Sequence, residues 1–173
     1  MQAISRYLWG PLTAVGLAAA AIAGVLDQAS KLWLLTVFDL AGKGVVKVAP
    51  FVDLVLTWNT GISYGWFQQQ GPFGQGALLA LKAVAVALLW IWLTRASSRL
   101  SAVSIGLIIG GAVGNGIDRL IYGAVADFVL LHAETATWHF NWYVFNMADV
   151  AIVAGVAGLL YESLRGDSAP KAP

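Results

Sequence analysis

The chain has no cysteine, so disulfides, thiolate metal sites and a cysteine nucleophile are excluded. It has two histidines, His132 and His139, too few for a histidine-rich metal site. Charge is scarce as well: 11% of the 173 residues are Asp, Glu, Lys or Arg, against about 25% in soluble domains. The net charge of +1 and the lack of any basic cluster give no reason to expect nucleic acid. No Gly-rich phosphate loop, His-Glu-x-x-His or Gly-x-Ser-x-Gly element is present. What fills the space is apolar: 59% of residues are hydrophobic and the mean hydropathy is +0.75. This is the composition of an integral membrane protein of one compact unit.

Four stretches are long enough to cross a bilayer, which takes about 20 apolar residues. They run from about Pro11 to Leu35, Gly76 to Thr94, Leu100 to Tyr122 and Tyr143 to Leu164. The alanine-rich start of the first runs on past Gly24, so it is expected to be a retained helix and not a cleaved leader. A tight polar turn, Arg95 to Arg99, joins the second and third. Long connections, 37–75 and 123–142, join the other pairs and must lie on one side. Arg6, Arg95, Arg99, Arg165 and Lys171 fall on the side of the termini, with Lys43 and Lys47 opposite. Lys and Arg collect in cytoplasmic loops, so both termini are expected in the cytoplasm. Within the first long connection, Val45–Val48 and Phe51–Leu56 flank Ala49-Pro50 and predict a small hairpin on the membrane surface. Trp58, Tyr64, Trp66 and Phe67, with Trp138, Phe140, Trp142 and Tyr143 from the second connection, suit a membrane interface. Residues 167–173 read as a disordered tail.

Against this background the polar residues stand out, because ionisable groups in lipid are costly and mark function by default. Asp27 and Lys31 are four apart on one helix face, as a helix-stabilising ion pair or as a pair that also orders a site. Asn115, Asp118 and Arg119 share a face at the outer end of the third segment. Asp118 has Arg119 and Lys31 as candidate cations, and a structural ion network stands beside direct chemistry for it. Arg119 and Asn115 are hydrogen-bond donors suited to a carbonyl or a phosphate. Asn146 and Asp149 share the outer turn of the fourth segment, and Asp127 lies just beyond the third. Topology therefore brings Asp127 and Asp149 to one interface. Two close carboxylates tend to share a proton, the arrangement used in aspartic proteolysis. Taken alone, such a pair also suits a proton relay or a cation-coupled carrier, and a non-catalytic scaffold is the third reading. Gly106, Gly110 and Gly114, four apart, read as a helix-packing face.

Five motifs occur in order: Asp27-Gln28 with Lys31, Asn59-Thr60-Gly61-Ile62-Ser63-Tyr64-Gly65, Gly114-Asn115-Gly116-Ile117-Asp118-Arg119, Val125-Ala126-Asp127-Phe128 and Phe145-Asn146-Met147-Ala148-Asp149. The set resembles the bacterial lipoprotein signal peptidases (signal peptidase II), over roughly residues 26–160. Ser63 and Tyr64 stand where relatives often carry Ala and Phe. The resemblance implies an all-α membrane fold of four transmembrane helices with a small periplasmic β-cradle. It implies an aspartyl endopeptidase of the bacterial inner membrane, with its active site at the periplasmic face. The substrate would be a diacylglyceryl-modified prolipoprotein, cut just before the lipidated cysteine. Asp127 and Asp149 would be catalytic. Asn59, Gly61, Asn115, Asp118, Arg119, Asn146, Ala148, Asp27 and Lys31 would line or support the site. No cofactor or metal is implied, and globomycin-type inhibitors would block the enzyme. Membrane lipids would be its other partners, and a monomer is expected. Gly61 and Gly65 offer hinge points for the first external loop.

Overall fold

The computed structural model describes residues 8–61, 72–134 and 137–166. The motif residues 62–65, the aromatic residues 66 and 67, Arg6 and the tail at 167–173 lie outside them. Among the described residues, four helices are long and apolar enough to cross a membrane. They are α1 (Thr13–Leu32), α2 (Pro72–Leu93), α3 (Arg99–Tyr122) and α4 (Met147–Gly166). A π-helical turn, Trp33–Val37, extends α1. The strands are β1 (Val46–Ala49), β2 (Val52–Asn59), β3 (Val125–Glu134) and β4 (His139–Asn141), in one antiparallel sheet of that order.

Helix α3 is the hub. Ser98 caps its N-terminus by accepting from the Ser101 N–H, and Gly123 ends it with a φ of 70°, a left-handed turn that suits glycine. A β-carbon on Gly106 would run into the backbone of Gly16, and one on Gly110 into that of Ala20. These two glycines let α1 pack backbone to backbone on α3, the close approach that drives association where lipid removes the hydrophobic incentive. Gly111 meets Ala148 of α4, and Gly155 of α4 returns the contact against Ser104. Leu93, Ala102, Ile105 and Ile109 fill the space between α1, α2 and α3.

The second long connection is not the loop expected at 123–142. It holds β3 and β4, so the predicted hairpin is half of a larger sheet. Phe128 of β3 packs with Leu34 and Leu40, which seats the sheet on the end of α1. The fourth helix also begins later than the expected Tyr143. Phe145 is still extended, and its N–H and carbonyl pair with Val129 at 3.0 and 2.8 Å. The reason is visible in the next residue, Asn146, which caps α4 and so fixes its first residue as Met147.

Candidate active site

Asp127 reaches the site from a strand. In β3 it lies opposite Thr57, and Val125 lies opposite Asn59. An irregularity in β2 between Leu54 and Thr57 inserts one extra residue on that strand. Such a bulge re-aims the side chains that follow it. The Asn59 amide is thereby placed to donate to Asp127 Oδ2 at 3.1 Å.

Asp149 reaches the same place from a helix N-terminus. Asn146 Oδ1 accepts from the Asp149 N–H at 3.0 Å, and Asp149 Oδ2 accepts from the Asn146 N–H at 3.2 Å. This is a reciprocal capping box, with Asn and Asp in place of the usual Ser/Thr and Glu. Asn146 has a second duty: its Nδ2 donates to Asp127 Oδ1 at 2.6 Å and to Asn115 Oδ1 at 3.0 Å. Asn115 in turn donates from Nδ2 to Asp149 Oδ1 at 3.0 Å. Every carboxylate oxygen of the pair is thus held by a neutral amide, and neither acid forms an ion pair among the described residues. Burial, followed by the Asp149 charge, pushes the Asp127 carboxyl from 3.8 up to about 7.

One layer below, the chemistry is different. Lys31 Nζ lies 2.8 Å from Asp27 Oδ2 and 2.8 Å from Asp118 Oδ2, and it donates to Asn115 Oδ1 at 3.0 Å. Asp27 Oδ1 accepts from the Ala148 N–H at 2.9 Å, which ties α1 to the first turn of α4. Asp118 Oδ2 also accepts from the Ala126 N–H at 3.1 Å, holding the strand one residue before Asp127. Gln28 bridges the two acids, donating to Asp118 Oδ1 at 2.8 Å and to Asp27 Oδ2 at 3.2 Å. Lys31, not Arg119, is therefore the cation that neutralises Asp118. Arg119 instead donates from Nη2 to the Gly61 carbonyl and from Nη1 to the Asn115 carbonyl at 3.3 Å. Gly61 donates its N–H to Asn59 Oδ1 at 3.0 Å, so Gly61 and Ala148 serve the site through backbone.

Two cavities meet at the pair. One of about 100 Å³ is lined by Asn59, Leu78, Leu81, Lys82, Asn115, Arg119, Val125 and both acids. The other, about 530 Å³, opens between β3 and α4 along Leu131, Trp142, Phe145, Val150, Ile152 and Val153, and it too reaches Asp127 and Asp149. The arrangement can hold a water between the two acids, with an apolar groove alongside.

A family model described as signal peptidase (SPase) II matches residues 19–165. The chain belongs to the signal peptidase II family. Two similar relatives are each named lipoprotein signal peptidase. The one from Rhodopseudomonas palustris is 64% identical over 159 residues, covering 92% of this chain and 97% of the relative. The one from Nitrobacter hamburgensis is 61% identical over 158 residues, covering 91% and 96%. A solved structure described as a bacterial membrane enzyme, determined in meso at 2.3 Å resolution, superposes with a TM-score of 0.75 at 22% identity. It covers 91% of this chain and 93% of its own, and it shows the same fold. This signal peptidase II is a multi-pass membrane peptidase with four apolar helices and a small antiparallel sheet.

The structure brings all eleven expected site residues of this family member into one connected cluster. Sequence reasoning missed three features. Lys82 stands alone in an apolar segment, with no motif or partner in the sequence to mark it. Gln28 lies in the first motif, and its bridge to Asp118 has no signature in the sequence. The capping box of Asn146 was readable from Asn followed three residues later by Asp.

Proposed function

We propose that the protein is an aspartyl endopeptidase that removes the signal peptide from diacylglyceryl-modified prolipoproteins, cutting just before the lipidated cysteine. The observation that carries this is the pair Asp127 and Asp149, clamped by neutral amides and open to two cavities. Asp127, pushed up to about 7, carries the proton and polarises the scissile carbonyl. Asp149, in the first turn of α4 with the helix dipole behind it, is the ionised partner that takes a proton from the attacking water. The water oxygen bonds to the carbonyl carbon. As the C–N bond breaks, the proton passes to the leaving amine, so no acyl-enzyme forms. Of the donors expected around the oxyanion, the Asn146 amide is already used within the cluster. Arg119 Nε is buried with no partner among the described residues, which leaves it available to a substrate oxygen.

The apolar groove beside the acids suits the acyl chains and the signal-peptide residues next to the cut. Burial of each CH₂ is worth about 0.8 kcal/mol, so lipidation alone gives the enzyme a strong handle. The turn with Arg95 and Arg99 and the end of α4 with Arg165 lie opposite the sheet with Lys47. That distribution supports cytoplasmic termini and a periplasmic site in the bacterial inner membrane. In this reading the enzyme acts as a monomer and is blocked by globomycin-type inhibitors. The test is cleavage of one prolipoprotein with and without its diacylglyceryl group. The lipidated form should be cut at least 10²-fold faster, on the order expected from burying several CH₂ groups. Equal rates would overturn the proposed substrate.

A further inference from the structure

Lys82 is the one charged residue of α2, and it sits at the middle of that 22-residue helix. A lysine there is expensive unless something draws it inward. It lines the 100 Å³ cavity with Asp127 and Asp149. It enters no ion pair or hydrogen bond among the described residues. Every other cation near the site is engaged. Lys31 is held by Asp27, Asp118 and Asn115. Arg119 is held by the carbonyls of Gly61 and Asn115.

The charges of the cluster then decide the matter. Lys31 bridges Asp27 and Asp118, and Arg119 rests on neutral carbonyls at the cavity wall, so the two supply two positive charges against three negative ones once the singly protonated pair is counted. Asp127 and Asp149 with one shared proton leave a single negative charge, and amides alone hold it. The cation that remains on the cavity wall is Lys82.

We infer that Lys82 is the counter-ion of the aspartate pair, a positioning residue that keeps the singly protonated, working form populated in an apolar surrounding. This rests on the peptidase reading above. Among the described residues, the groups facing the pair are Lys82 from α2, Asp118 and Arg119 from α3, and Asp27 and Lys31 from α1. Of these, Lys82 alone has no other partner. The ammonium acts through the acids across the cavity and touches no reacting atom. At an effective dielectric of about 20, a unit charge several ångströms away shifts an ionisation by about one to two pH units.

The test is the pH profile of kcat/KM on a diacylglyceryl-modified prolipoprotein for wild type, Lys82→Met, Lys82→Gln and Lys82→Arg, with Asp127→Asn as control. Thermal unfolding in the same detergent checks that each variant is folded, and Met and Gln back each other up. Met and Gln variants should move the acid limb up by about one to two units. Their activity on the acid side of the limb should fall by up to about 10- to 100-fold while the plateau recovers at higher pH. The Arg variant should keep the wild-type limb. Profiles of Met and Gln that superimpose on wild type would overturn the inference. So would a rise in KM with an unmoved profile, because Lys82 would then contact substrate. An Asp127→Asn control that still cleaves would instead overturn the reading of the pair.

Discussion

Four aspartates converge where these helices meet the sheet, in two pairs that are handled in opposite ways. Asp27 and Asp118 are buried, and a lysine joins them: Lys31 lies 2.8 Å from each, with its third hydrogen bond on Asn115. Asp127 and Asp149 receive only amides, from Asn59, Asn115, Asn146 and one backbone N–H. An ammonium at contact distance fixes a carboxylate as an anion. A neutral amide fixes its direction and leaves its charge free to change. The first pair is therefore structural and the second is able to move a proton, although both use the same residue type within one site. Asn115 stands between them, accepting from Lys31 and donating to Asp149.

Breaking the second pair should have the largest effect on activity. Asp127→Asn and Asp149→Asn are each expected to lower kcat by at least about 10³-fold, at the upper part of the range for an acid/base group, with folding intact by thermal unfolding. Breaking the first pair should act on stability. Lys31→Met leaves two buried carboxylates unpaired, which costs about 3–5 kcal/mol. It should appear as a large fall in unfolding temperature before any defect in the chemical step is measurable. A Lys31→Met variant as stable as wild type would show that the two pairs are not so different.

The contrast also has a pH signature. Asp127 is raised from 3.8 to about 7, so the folded state holds its proton longer than the unfolded chain. Its contribution to stability is whole below about pH 4 and is lost as pH rises towards 7. Asp127→Asn removes that loss. The variant should be more stable than wild type at pH 8, by on the order of 2–4 kcal/mol, and the gap should close towards pH 4. A gap that is constant with pH would contradict the raised value. Smaller still is the scaffold term: Gly110→Ala places a β-carbon against the Ala20 backbone and should destabilise by about 1–3 kcal/mol with little change in kcat.

Much of this contrast is legible in the sequence, because lipid makes polar residues conspicuous. The four spans, the glycine face of α3 and the Asp27–Lys31 spacing follow from period and cost. The pairing of β3 with β2 does not, since Val125–Leu131 is apolar but for Asp127 and its partner lies some 70 positions earlier. Without that pairing nothing brings Asn59 to Asp127. Lys82 was hidden for a different reason: its meaning is a vacancy of partners on its own helix, and only the packed structure shows which charge it faces.

The most direct measurement is cleavage of a diacylglyceryl-modified prolipoprotein by purified wild type, Asp127→Asn and Asp149→Asn side by side. Asn keeps the shape and one of the two hydrogen bonds each carboxylate accepts, but cannot exchange the water's proton. The account predicts activity in wild type and its loss in both folded variants. Cleavage that survives in either variant would contradict it.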